Sequence, residues 1–378
     1  MSVSRAHAVA PGERVSGRLK GLQVGRGMAA LSVVVGHAVA MSSSGNAWGL
    51  WEFLGRYGVT LFFIISGFIM VHTTGRGPFD ARRFMASRLR RIVPLYLLAN
   101  LVLAVVTLVA PHAFRRTVFN AWHILLSILF IPAYDPAGSG RIWPFFRLGW
   151  TLNYEMFFYF CFAALAFVTV RTRVALLSFG FLALIVIGQL HSFQDAIPRF
   201  YTQIDTLGFV VGAVLGLAEM RGKLRLKLPT AIALAAFTLL ASGFLSVRFD
   251  TIRDFNWTQI MVVVICAIHL VLLTMLFDVK RFRYPALILR VGDMSYSLYL
   301  FHMFPVGLFA MFEHKAPPIL VVPLIGLSIV ATLAISAMIY HFVERPFDLF
   351  LRRAGRRSHA LGEGVDERPS TTFHPTVC

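Results

Sequence analysis

Acidic residues are scarce in this chain: 18 Asp and Glu stand against 36 Lys and Arg in 378 residues, and charged side chains make up only 14% of the whole. Soluble domains carry about 25% charge, and no soluble core could hide a 57% apolar content behind so few polar groups. Cysteine is almost missing. Cys161 and Cys266 lie inside apolar runs and Cys378 at the end, which offers neither a disulfide framework nor metal-ligand spacing, so no metal is expected. No small-residue cleavage site follows the first apolar run, which therefore reads as a retained anchor. No repeat of fixed period is visible.

What the sequence has in abundance is long apolar runs. A net charge of +18 would point to nucleic acid if it formed one patch. The basic residues sit instead in short clusters between those runs, so the expected partner is the lipid bilayer and not nucleic acid. Taking about 17–25 apolar residues per crossing, ten spans are expected: Val24 to Met41, Tyr57 to Thr74, Ile92 to Ala110, Trp150 to Val170, Val174 to Leu190, Gln203 to Glu219, Leu228 to Val247, Thr258 to Phe277, Met294 to Phe312 and Ile319 to Phe342. Lipid forbids unpaired backbone, so each should be helical. The segment Phe119 to Pro132 is too short for a span and fits a re-entrant or interfacial helix. The fold class is thus an all-α integral membrane protein of about ten transmembrane helices plus that one.

Cytoplasmic loops are enriched in Lys and Arg. Arg14, Arg18 and Lys20 precede the first span, Arg82 to Arg91 follow the second, and Arg171, Lys223, Arg283 and Arg352 head further clusters in every second gap. Both termini should then be cytoplasmic. The organisation is a basic tail at 1–22, a membrane domain at 23–347 and a basic tail at 348–378.

An ionisable group inside a span costs at least ~2.5–3.5 kcal/mol at the helix centre, which makes it a functional candidate. His37, His72, Glu155, Asp205, His269, Asp293 and His302 qualify. A neutral His bonded to a backbone carbonyl is the bland alternative, and it suffices for His72 and His269. Arg26 and His37 are eleven residues apart, nearly three helical turns, so they leave one face about 16 Å apart along the axis. A span entering from outside at Trp150 puts Glu155 about 7 Å down, level with His37. A carboxylate facing an imidazole would make the His a competent base. Ser66, within Ile65-Ser66-Gly67, marks either close helix packing or a site. Ser295, Tyr299 and His302 form one polar stripe at i, i+4 and i+7. Arg88, Arg90 and Arg91 signal topology on their own; with Arg26 nearby, their guanidinium forks suit a phosphate-binding mouth. Glu344 reads as an ion-pair partner for those arginines.

Several blocks resemble the membrane-bound acyltransferase 3 family in their joint order. They are the Arg26 to His37 spacing, Gly58 to Phe68 (GVTLFFIISGF, with Thr60 where Asp is more usual), Arg88 to Tyr96 (RLRRIVPLY), Trp150 to Tyr159 (WTLNYEMFFY), Gly292 to Pro305 (GDMSYSLYLFHMFP) and Glu344-Arg345-Pro346. RIVPLY and GWTLNYEMFFY are closest to its exopolysaccharide-production branch. The similarity covers about Gly21 to Phe347. It implies a multi-span enzyme of the bacterial inner membrane. It also implies acyl-CoA, most simply acetyl-CoA, as cytoplasmic donor, His37 as catalytic residue, and a glycan or lipid-linked glycan as acceptor. Polysaccharide-assembly proteins are further partners it admits. Two other readings stand beside it: a transporter using the buried His, Glu and Asp as a proton relay, and a flippase-like or polymerase-like glycan partner without acyl chemistry.

Overall fold

The computed structural model describes residues 11–42, 48–75, 77–109, 117–224, 226–248, 255–276, 285–313 and 316–351. Within them the apolar runs fold as helices: α1 (Pro11–Ala40), α2 (Trp48–Thr74), α3 (Ala81–Val109), α4 (Ala121–Ile128), α5 (Trp150–Ala164), α6 (Val170–Leu190), α7 (Ala196–Tyr201), α8 (Leu207–Met220), α9 (Leu228–Arg248), α10 (Phe255–Leu276), α11 (Ala286–Asp293), α12 (Ser295–Phe301), α13 (Met303–Glu313) and α14 (Pro318–Ile339). Among the described residues, strand-like pairing is limited to one bridge between Tyr134 and Ile142.

Seven of these helices, α1, α2, α3, α6, α9, α10 and α14, are long and apolar enough to cross a membrane, and α12 with α13 makes an eighth if that bent pair counts as one span. The bend is 44° at His302. Its cause lies in Pro305, which has no N–H to give to the Phe301 carbonyl one turn earlier. Two of the ten expected spans fold short. α5 has 15 residues and α8 has 14, about 22 and 21 Å at 1.5 Å per residue. The start of the chain also departs from expectation, because α1 begins at Pro11 and the latter part of the supposed tail is helical. Residues 1–10 and 352–378 and the basic positions Arg76, Arg225, Lys280, Arg281 and Arg283 lie outside the described residues.

Phe119 to Pro132 contains α4, eight residues capped by the Asn120 side chain. Eight residues reach only about 12 Å, too little to cross. The chain then reverses at Phe130, whose φ of 58° is left-handed. The Tyr96 hydroxyl pairs with Ser127 at 2.8 Å and holds α4 against α3.

α2 is the central helix, with α1, α8, α9 and α10 packed around it. Its contact with α8 is backbone to backbone. A Cβ on Gly212 would fall 2.0 Å from the Ile64 carbonyl, and one on Gly67 2.3 Å from that of Phe209, the small-residue approach that helices in lipid use. This closeness lets Phe209 stack on Phe63 at 4.4 Å and on Phe158 of α5 at 4.7 Å. At the far end of α5 the buried Arg173 guanidinium donates to the carbonyls of Leu165, Ala166 and Val168 at 2.9, 3.2 and 3.0 Å. It also lies over Phe79 at 4.1 Å. These carbonyls belong to the turn that follows α5, and the guanidinium ties that turn to α6.

Candidate active site

Because α5 is short and packs against both α2 and α3, one of its faces closes a chamber among four other helices. Thr151, Glu155 and Tyr159, one turn apart, meet Arg26 of α1, Ser66 of α2, Arg88 and Arg91 of α3, and Tyr296 and Tyr299 of α12 around a cavity of about 70 Å³. Glu155 accepts from the Ser66 hydroxyl at 2.8 Å and from Tyr159. Arg26 lies within electrostatic range of Glu155, Arg91 and Glu344. The remaining wall is apolar, with Phe62, Phe63, Ile65, Ile69 and Met70.

A second, wider cavity of about 610 Å³ shares Arg26, Arg88 and Arg91 with the chamber and adds Arg90, Arg345, Asp293, Glu344 and Asp348. The two adjoin along these three shared arginines. Pro94 lines the mouth inside α3. The π-helical turn Tyr340–Glu344 ends α14, and Glu344 accepts from Ser297 while Gln23 bonds Asp293. Arg88 rests near Phe84 and Tyr159, 5.5 and 5.9 Å from their ring centres. Guanidinium forks at such a mouth match phosphate oxygens in pairs. Among the described residues no group of three or more His, Cys, Asp or Glu is placed to hold a metal ion.

His37 lies away from this carboxylate. Its Nδ1 bonds the Val33 carbonyl at 2.9 Å, and its ring neighbours are His302 at 5.0 Å and Trp51 at 6.3 Å between centroids. The expected pairing of Glu155 with His37 is therefore corrected: α12, not α5, lies beside this part of α1. α5 begins at Trp150 as expected, but its Glu155 side chain meets Ser66 of α2. The chamber nevertheless ends close to the imidazoles. Tyr299 shares a 2.7 Å hydrogen bond with Thr151 and donates to the Leu148 carbonyl at 3.1 Å. Its ring is 5.7 Å from Phe62 and 6.2 Å from His302.

The polar stripe of α12 divides its work. Tyr299 lines the chamber, His302 sits by His37, and Ser295 is buried away from the cavity. Tyr159, Tyr296 and Arg345 line these cavities without having been singled out from sequence. Tyr159 had a signal, since Thr151, Glu155 and Tyr159 repeat at i, i+4 and i+8. The remaining intramembrane histidines are partnered: His72 with Glu219 at 2.9 Å and His269 with the Tyr57 hydroxyl at 2.8 Å.

Residues 19–341 match the acyltransferase domain family. That stretch holds every residue named for the chamber. The exopolysaccharide production protein ExoZ of Rhizobium meliloti (strain 1021) is 36% identical over 257 residues, which cover 68% of this chain and 78% of that relative. No solved structure matches. A family domain spanning most of the chain, folded here as a helical membrane body around the arginine-lined cavities, leads to a plain assignment: this protein belongs to the acyltransferase family that the domain defines, and it is a membrane acyltransferase.

Proposed function

We propose that the protein moves an acyl group, acetyl in the simplest case, from acyl-CoA to a hydroxyl of an exopolysaccharide or of its lipid-linked precursor. The observation that carries this reading is an arginine-lined cavity that adjoins, at Arg26, Arg88 and Arg91, a chamber reaching Tyr299, whose ring neighbours His302 and through it His37. The printed name of the relative from Rhizobium meliloti supports the glycan side. The alternating basic loops support a bacterial inner membrane setting, with the mouth and both termini in the cytoplasm.

In this reading Arg26, Arg88, Arg90 and Arg91 hold the phosphates of the donor, and the narrow pantetheine arm runs through the apolar chamber. Glu155 balances the arginines and keeps Arg26 in place. The acceptor oxygen attacks the thioester carbonyl while His37 Nε2 takes its proton; the C–S bond breaks and the proton passes to the departing sulfur. With Nδ1 donating to Val33, the lone pair of a neutral His37 is on Nε2. General-base help of this kind is worth about 10²–10⁴ in rate. The test uses purified protein in nanodiscs with labelled acetyl-CoA and the polysaccharide of the producing cell. Free CoA thiol should appear in step with label on the polysaccharide. Solute transport with no thioester turnover would replace this reading with the transporter.

A further inference from the structure

His302 is fully buried, and its hydrogen bonding is half complete. Nδ1 lies 2.8 Å from the Tyr299 carbonyl, while Nε2 has no partner among the described residues. A carbonyl can only accept, so in the neutral ring Nδ1 carries the proton and Nε2 is a bare acceptor. His37, 5.0 Å away, has the same arrangement, with its Nδ1 on the Val33 carbonyl. Two neighbouring imidazoles each offer a lone pair, and neither can satisfy the other. A buried acceptor without a donor is costly, and His302 Nε2 is one; beside the half-buried His37 it suits a ligand that brings O–H groups.

We propose that His302 is the second half of an acceptor seat and takes sugars in which the reacting hydroxyl is flanked by another hydroxyl. The inference rests on the acyltransfer reading above and adds the acceptor class and a specificity-determining residue. One hydroxyl has one proton and can serve only one of the two nitrogens; a vicinal diol brings one for each. The reacting hydroxyl gives its proton to His37 as its oxygen bonds to the acyl carbon. The neighbouring hydroxyl donates a hydrogen bond to His302 Nε2 and keeps its proton throughout. His302 thus fixes which of two adjacent oxygens faces the thioester, without itself changing protonation.

The two histidines should then answer differently to the same substitution. The glutamine amide oxygen can accept a hydrogen bond in place of an imidazole nitrogen, but it cannot take a proton. Cells lacking the gene are complemented with wild type, His37→Gln, His302→Gln and His302→Ala, at matched membrane abundance. O-acetyl content and position on the cell's own polysaccharide are read by NMR. The comparison of wild type with the deletion checks the underlying reading by itself: equal acetylation in the two would overturn acyltransfer, and this inference with it. With acetylation restored by wild type, His37→Gln should be inactive. His302→Gln should keep the wild-type position within about tenfold of the wild-type content, and His302→Ala should spread the remaining acetyl over both adjacent oxygens. Inactivity of His302→Gln equal to that of His37→Gln, in a protein that purifies as a single species, would overturn the proposal. So would a single unchanged position in His302→Ala.

Discussion

The Ser66 hydroxyl donates a 2.8 Å hydrogen bond to Glu155, fastening α2 to α5 and setting a carboxylate into a chamber that three arginines also line. Glu155→Leu removes the counter-charge and both hydrogen bonds, each worth ~1.5–3 kcal/mol when one partner is charged. The variant should melt at lower temperature in detergent, and CoA should recover more of that loss than it adds to wild type, because its phosphates supply negative charge at the same place. An unaltered melting temperature would show that the carboxylate does not hold the arginines.

The contact between α2 and α8 leaves no room for a side chain. Gly212→Ala would place a Cβ 2.0 Å from the Ile64 carbonyl, whereas Gly180 on α6 has nothing within 4 Å. Overpacking costs about 1–3 kcal/mol, so Gly212→Ala should destabilise the protein and Gly180→Ala should not. Thermal unfolding of the two purified variants checks this, and equal stability would contradict the packing described.

Arg173 is the staple at the end of α5. Replacing it by Met removes the side-chain donor from the carbonyls of Ala166 and Val168 and leaves Leu165 only the Val168 N–H, at about 1–3 kcal/mol for each carbonyl left dry. Arg173→Lys should recover only part of the loss, since an ammonium lacks the planar fork. Yield of monodisperse protein after extraction is the readout, and full recovery by Lys would contradict the fork's role.

Much of this arrangement was legible in the chain. The Arg26 to His37 spacing works because α1 is one unbroken helix from Pro11 to Ala40, and periodicity along a straight helix is reliable. The arginines of α3 were visible as a cluster, and Gly67 as a point of close approach. The partner of Glu155 was not legible. α5 begins at Trp150, where the sequence put it, but which helix its Glu155 face meets is set by tertiary packing. The bend at His302 follows from Pro305, but only the packing of α12 against α1 turns the bend into an imidazole pair. Local sequence gives faces and breaks; which faces meet is decided by long-range packing.

At the mouth, Arg90 and Arg345 line the wide cavity without lining the chamber. Arg90→Ala or Arg345→Ala should raise the donor KM about tenfold or more, matching ~1.5–3 kcal/mol for a charge-assisted phosphate bond. The turnover rate should change little, as expected when binding is lost equally from ground and transition states. Steady-state kinetics with acetyl-CoA decide it; a fall in turnover with unchanged KM would place these residues elsewhere in the mechanism.

The central claim is that His37 takes the acceptor proton, and a single-turnover comparison of wild type with His37→Gln in nanodiscs tests it most directly. Labelled acetyl-CoA and polysaccharide are supplied at saturating concentration, and donor binding is measured in parallel. His37→Gln should bind acetyl-CoA as wild type does and transfer the acetyl group at least about 10²-fold more slowly, the lower end of general-base catalysis. Transfer at the wild-type rate by a variant that binds donor normally would remove His37 from the chemistry.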